Sequence, residues 1–267
     1  MISLVKTLTQ RSLFVLSAVL TPSICLAIDP TQIVQQSLDA TYYAGNDMRT
    51  KVSMKLINPK GDVREREMTM LRINLAGGEQ RYYTYFHRPT DVKGTAFLVQ
   101  KFPGKEDDRW IFVPAIKLVK RIASDDKRSS FVGSDFTYED VSGREVADES
   151  HTLVGEEVFE GRPVYRIESK PVKAIDYSRR VSLIDRERWL PLSEEYFDLR
   201  NRPSRVFSAV KVEQVADVWT ITARTMRNLE TGYRTEVVYD EIAYNIGLEA
   251  DIFTERYLRN PPQQWVK

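Results

Sequence analysis

The chain has 267 residues, in which 39 lysines and arginines nearly balance 38 aspartates and glutamates. This balance argues against nucleic acid as a partner and predicts no strong attraction to an anionic membrane surface. The only cysteine is Cys25, in the N-terminal segment, so the rest of the chain has neither a disulfide nor a thiolate metal site.

Residues 1–27 have the pattern of a secretory signal peptide. Lys6 and Arg11 precede an apolar run at 13–20, and small residues end the segment at Ala27. The apolar run is too short for a permanent membrane span. We therefore expect cleavage after Ala27, export to the periplasm and no stable membrane anchor. The alternatives are a lipoprotein signal acylated at Cys25 and an uncleaved anchor.

A helix is predicted at the start of the exported chain. Asp29 suits its N-cap, and Pro30 suits its first helical position. Four apolar residues then share one helical face, and Gly45 with Asn46 ends the helix. These four are Ile33, Val34, Leu38 and Tyr42.

From residue 50 onward the apolar period changes to two, which indicates strands joined by short turns. We expect strands at 50–56, 65–75, 81–87, 94–102, 108–113, 116–122, 150–159, 162–170, 178–185, 191–198, 205–215, 218–227 and 233–244, then a short helix at 249–258. Consecutive antiparallel strands of this length tend to curl. The predicted fold class is mainly β: a curved antiparallel sheet forming an incomplete barrel, with the N-terminal helix and short helices over its opening. Residues 28–267 are expected to form a single domain.

Two strands carry large apolar side chains on both faces, at 82–86 and 110–113. Such strands need a cover on each side, and one cover is expected to be a lipid-like guest in an apolar cavity. The alternative is that the first helix and the loops cover both faces, with the methionines as core filler. The cavity candidates are Met54, Leu56, Met70, Tyr83, Tyr85, Leu98, Trp110 and Phe112.

The segment 129–141 mixes aromatic, small and acidic residues without a regular period, which predicts a structured loop. Its aromatic residues either plug one end of the curved sheet or form the rim of a binding site, and its acids and Ser134 are suited to capping backbone groups. The rim candidates are Phe131, Gly133, Ser134, Asp135, Phe136 and Tyr138.

Catalytic motifs are missing from the sequence. His87 and His151 are the only histidines, and neither a nucleophile elbow nor a phosphate-binding glycine loop is present. Neighbouring acids such as Glu194 and Glu195 would point to opposite faces of a strand. We therefore expect a protein that is not an enzyme and has no cofactor and no metal; a paired-carboxylate hydrolase is the rival.

Three motifs resemble the LolA-like outer-membrane lipoprotein-sorting proteins. They are FHRPTDVKGT at 86–95, WIFVPA at 110–115 followed by KRI at 120–122, and FVGSDFTYED at 131–140. The resemblance implies a half-barrel of antiparallel strands with helices lining its opening. It also implies a periplasmic carrier that shields acyl chains of lipoproteins or other lipids. Members of this group are associated with export pumps of the resistance-nodulation-division type.

The leading hypothesis is therefore a carrier that binds acyl chains for lipoprotein sorting or lipid transport. The second hypothesis is a non-enzymatic accessory module that docks on an inner-membrane exporter or envelope complex through its loop and sheet edge.

Overall fold

The structure is a computed structural model that describes residues 28–267. The predicted signal peptide therefore lies outside the described residues. Within the described part, thirteen strands, β1 to β13, alternate with short turns. Their bounds are Asp47–Ile57, Val63–Asn74, Gln80–Arg88, Ala96–Lys101, Asp108–Val113, Leu118–Ile122, Glu149–Phe159, Arg162–Pro171, Arg179–Asp185, Pro191–Phe197, Pro203–Val215, Val218–Asn228 and Arg234–Tyr244. The helices α1 to α4 are Pro30–Leu38, Tyr138–Ser142, Glu255–Arg259 and Gln263–Val266.

The strands form one antiparallel sheet in the order β6-β5-β4-β3-β2-β1-β13-β12-β11-β10-β9-β8-β7. Strands that follow each other in the chain are neighbours in the sheet everywhere except between β6 and β7, which are the two edges. Because β6 and β7 do not pair, the curved sheet is not closed into a barrel. The predicted fold class is confirmed.

The face that carries Met54, Met70 and Phe97 is called the inner face here. Its buried side chains form one cluster that reaches from Phe97 on β4 to Tyr196 on β10. These two strands are far apart in the sheet order, so a shared cluster requires the sheet to curl around this face.

Helix α1 covers the inner face at the β7–β9 end of the sheet. The Asp29 carboxylate accepts a hydrogen bond from the backbone N–H of Thr31 at 2.9 Å, as an N-cap does. Ile33 and Val34 are buried against Tyr165 and Ile167. The helix then continues into one π-helical turn, Asp39–Tyr43, which brings the chain toward β12.

The connection between the two sheet edges, residues 123–148, is called the crossing segment. It contains α2, which begins with a capping box: the Thr137 hydroxyl accepts from the N–H of Asp140, and the Asp140 carboxylate accepts from the N–H of Thr137. Phe131 and Phe136 of this segment are each 1% exposed and belong to the inner-face cluster. The crossing segment therefore lies inside the curve of the sheet.

The C-terminal segment, residues 248–267, covers the outer face of β2–β5. The predicted helix at 249–258 is split into a 3₁₀ turn, Ala250–Ile252, and helix α3, because Thr254 has an extended backbone. Phe253 and Leu258 are fully buried against Leu71 and Leu98 of the sheet. No helix within residues 28–267 is both long enough and apolar enough to cross a bilayer.

Candidate functional site

The eight cavity candidates lie on two different faces of the sheet. Met54, Leu56 and Met70 belong to the inner-face cluster. The other five, Tyr83, Tyr85, Leu98, Trp110 and Phe112, lie on the outer face beneath the C-terminal segment. The Tyr83 hydroxyl donates to the carbonyl oxygen of Tyr257 in that segment at 2.8 Å. The two-sided strands therefore have two covers from the chain itself, the crossing segment inside and the C-terminal segment outside.

The aromatic rim candidates of the crossing segment are packed into the sheet interior. The Phe131 ring lies 5.4 Å from Phe97 and 5.5 Å from Tyr138, both in edge-on arrangements. Phe136 lies beneath the guanidinium of Arg224, at 4.9 Å. These contacts anchor the crossing segment against strands from both halves of the sheet.

The polar rim candidates hold the shape of the same segment. The Ser134 hydroxyl donates to the carbonyl oxygen of Phe131 at 2.8 Å, and Gly133 adopts a left-handed φ of 79° that favours glycine. The Asp135 carboxylate accepts from the Thr235 hydroxyl of β13 at 2.8 Å. Burial raises the pKa of Asp135 above its usual value, against this hydrogen bond and Arg205, which lower it.

Two adjoining clefts open on the inner face beside α1 and the π-helical turn. The first, with about 720 Å³ of empty space, is called the charged cleft. The second, with about 650 Å³, is called the apolar cleft. Both volumes include the open space at the mouths of the clefts. Thr41, Tyr42 and Arg224 line both clefts and mark the junction between them.

The charged cleft is built around Arg180 on β9. Its guanidinium contacts the Glu149 carboxylate at 2.5 Å and also pairs with Glu194. The Tyr177 hydroxyl donates to Glu149 at 2.7 Å. Burial alone would raise the pKa of Glu149, but the positive charges of Arg180 and Arg144 and the hydrogen bonds to its carboxylate lower it from 4.5 to about 2.

A second buried ion cluster ties the crossing segment to this half of the sheet. The Asp140 carboxylate contacts Arg144 at 2.9 Å and Arg205 of β11 at 3.2 Å. Burial opposes ionisation of Asp140, but the two arginines lower its pKa below the usual value. Both guanidinium groups also lie over the ring of Tyr196, at 5.4 Å and 4.5 Å. The cluster fixes the position of α2.

The apolar cleft has a different character, since none of its lining residues is acidic. Its walls come from the inner face of β1–β3 and of β12 and β13, together with the π-helical turn, α2 and the turn at Leu190. The apolar and aromatic side chains of this wall include Met48, Met70, Tyr82, Val141, Trp219, Ile221, Tyr239, Ile242 and Tyr244. Of the cavity candidates, Met70 lines this cleft. Neither histidine lines either cleft, and residues 28–267 contain no cluster of His, Cys, Asp and Glu arranged to hold a metal ion.

The inner-face arginines were missed by the sequence reasoning, although a signal for them is present. Arg180 precedes Ser182 and Ile184 at strand spacing, and Arg224 precedes Met226 in the same way. Since residues at i and i+2 share a face, an arginine in step with buried residues points inward. The capping-box pattern at Thr137 was likewise visible in the sequence.

Comparisons with known proteins agree with this architecture. A DUF1329 family protein from Desulfovibrio piger superposes with a TM-score of 0.80 at 26% identity, over 86% of this chain and 100% of that one. A structure from Vibrio parahaemolyticus, named for an outer membrane lipoprotein-sorting protein domain, gives a TM-score of 0.80 at 29% identity, over 86% and 98% of the two chains.

A LolA superfamily protein from Nitrosomonas europaea shares the fold, with a TM-score of 0.68 at 15% identity over 86% of this chain and 100% of that one. A search of curated proteins finds no match. A family model described as an uncharacterized protein matches residues 78–260. The resemblance to LolA-like proteins is confirmed by these structures. Because the family model spans more than half of the chain, the chain belongs to the DUF1329 family, and its fold fits the broad LolA-like group.

Proposed function

We propose that this protein is a carrier that shelters an acyl chain of a lipoprotein or another lipid in the apolar cleft. The single observation that carries the proposal is the apolar cleft itself, which opens on the inner face and has no acidic residue in its lining. The likeness to a lipoprotein-sorting protein domain at 29% identity supports the same class of cargo.

The physical basis of binding is burial of apolar surface. Burying one methylene group stabilises a complex by about 0.8 kcal/mol, so a twelve-carbon chain gains on the order of 10 kcal/mol before the costs of ordering and association. Sequestration of this kind needs no nucleophile, cofactor or metal. The proposed role is therefore a binding role, without catalysis.

The proposed location follows from the leader and the cargo. A carrier for acyl chains is needed where a lipid must leave one membrane and cross an aqueous compartment. Residues 1–27 have the charge and apolar pattern of an export signal. We therefore place the protein in the periplasm, with residues 28–267 acting as one binding domain and lipid or lipoprotein acyl chains as its partners.

The direct test is to fill the cleft. Ile221 is half-buried in the wall of the apolar cleft, and Ile221→Trp adds volume where an acyl chain would lie. We expect this variant to bind a fluorescent fatty acid about tenfold more weakly or worse, which corresponds to about 1.4 kcal/mol.

The matched control is Val238→Trp. Val238 precedes Tyr239 of the cleft wall and lies on the opposite face of β13, 42% exposed. This control should bind like the parent protein.

Native mass spectrometry of protein from the periplasm should also show bound lipid. Protein that carries no lipid, takes up no fatty acid and crosslinks to one envelope protein would contradict the carrier and favour the docking module.

A further inference from the structure

Every carboxylate that lines the charged cleft has a positive partner. Four carboxylates belong to the lining, and four cations contact them at 3.5 Å or less. These pairs are Arg144–Asp140, Arg205–Asp140, Lys101–Glu145, Arg180–Glu149 and Arg180–Glu194. The side chains of this set therefore balance in charge.

Two arginines of the cleft linings form no ion pair within residues 28–267. Arg72 instead donates to the carbonyl oxygens of Tyr42 and Ala44, whereas Arg224 lies at the junction of the clefts. It lines both clefts, and no carboxylate of residues 28–267 forms an ion pair with it. Its guanidinium lies between two aromatic rings, 4.9 Å from the centre of Phe136 and 5.1 Å from the centre of Tyr239. These ring faces hold the cation in place but leave its charge unneutralised.

Two unpartnered hydrogen-bond donors lie at the junction of the clefts. Arg224 Nε and the Thr41 hydroxyl oxygen are buried atoms without a hydrogen-bond partner among the described residues, and both residues lie at the junction of the clefts. The Tyr82 hydroxyl and Arg72 Nε, in the lining of the apolar cleft, are also buried and also lack a hydrogen-bond partner among the described residues. Buried polar groups in native proteins are rarely left unsatisfied.

An unpaired arginine and unsatisfied donors beside an apolar cleft fit one class of ligand. We propose that the cargo is an anionic amphiphile whose carboxylate or phosphate headgroup binds Arg224 and Thr41 at the junction, while its hydrocarbon tail occupies the apolar cleft. This inference rests on the proposed carrier function and specifies the chemistry of the headgroup. The surplus charge of Arg224 selects an anion, and the other donors supply hydrogen bonds to it.

The test compares amphiphiles that share one tail and differ in headgroup. Dodecanoate, dodecyl phosphate, 1-dodecanol and dodecyltrimethylammonium each compete with the neutral fluorescent probe N-phenyl-1-naphthylamine for the purified protein. We expect one or both anions to bind about tenfold tighter than 1-dodecanol or better, and the cation to bind more weakly than the alcohol. A preference for dodecanoate identifies a fatty-acid carboxylate, and a preference for dodecyl phosphate identifies a lipid phosphate.

Three variants test whether Arg224 is the source of the preference for anionic headgroups. Arg224→Gln should reduce anion binding to the level of 1-dodecanol, while Arg224→Lys should keep part of the preference, since it retains the charge but loses the planar fork of donors. Arg227→Gln is the matched control, because Arg227 is exposed on the same strand and on the opposite face. It should bind all four amphiphiles like the parent protein.

The outcomes separate the two proposals. If the probe and all four amphiphiles fail to bind, the carrier function itself is wrong. If 1-dodecanol binds as tightly as the anions, or if folded Arg224→Gln keeps the anion preference, the carrier stands and the headgroup assignment is overturned. The headgroup comparison in the parent protein decides the question even if Arg224→Gln does not fold.

Discussion

The two halves of the sheet, β1–β6 and β7–β13, are stabilised in different ways. In the first half the inner face packs aromatic rings against the crossing segment, and the outer face is buried under the C-terminal segment. In the second half the inner face carries the Arg180 and Asp140 ion clusters. The outer-face cluster of the second half is formed by strand side chains alone, with Val164, Leu183 and Leu192 at its centre.

The two halves therefore depend on different interactions for their stability. In the first half, apolar packing on both faces removes side chains of the sheet from water on each side. Buried ion pairs contribute less net stability than apolar packing of the same volume, but losing one partner is costly. The charged cleft lies beside the ion clusters of the second half, whereas the apolar cleft is shared between the two halves.

The largest expected effect tests the two-sided packing of the first half. Leu98 is fully buried on the outer face of β4, under the C-terminal segment. Leu98→Ala should lower the free energy of unfolding by about 2–5 kcal/mol, through lost burial and the cavity left behind. Urea unfolding measures the change. The same substitution at Leu199, which is 71% exposed, is the control and should be nearly neutral.

The next effect tests the ion clusters of the second half through pH. The pKa of Glu149 is about 2 in the folded protein and 4.5 in the unfolded chain, so Glu149 stabilises the fold above about pH 5. This contribution, about 3 kcal/mol, is lost as the pH falls from 5 toward 2. Glu149→Gln should therefore be less stable than the parent protein at pH 7, and the difference should shrink at pH 3.

Urea unfolding at pH 7, 4 and 3 follows this difference. Glu157→Gln on the same strand is the control, since Glu157 is exposed and pairs only with Arg166 among the described residues. If Glu149→Gln lowers the free energy of unfolding by the same amount at pH 7 and pH 3, the carboxylate charge is not the source of the stability.

The smallest effect tests the outer face of the second half. Val238 lies on that face of β13 and is 42% exposed. Val238→Ala should change the free energy of unfolding by less than about 1 kcal/mol, since little apolar surface is lost. A loss as large as that of Leu98→Ala in thermal or urea unfolding would mean that another element covers this face.

Much of the fold was determined by the sequence alone. The period-two pattern and the turns predict nearly every strand within one or two residues, and Asp29 with Pro30 marks the start of α1. These signals are local: alternation depends only on neighbouring residues, and a cap depends on one turn of chain. The same alternation also determined that Tyr83 and Tyr85 share one face while Tyr82 and Phe86 share the other.

Only the tertiary structure decided which of those faces is inside. That choice depends on segments far away in the chain: the crossing segment fills the inner face near Phe97, and the C-terminal segment covers Tyr83 and Leu98. Charge pairing is equally non-local, since Arg180 meets Glu149 and Glu194 only after the four strands β7–β10 are placed side by side. Period and composition contain no distances between remote residues, so the position of the clefts and the surplus charge of Arg224 follow from the three-dimensional packing.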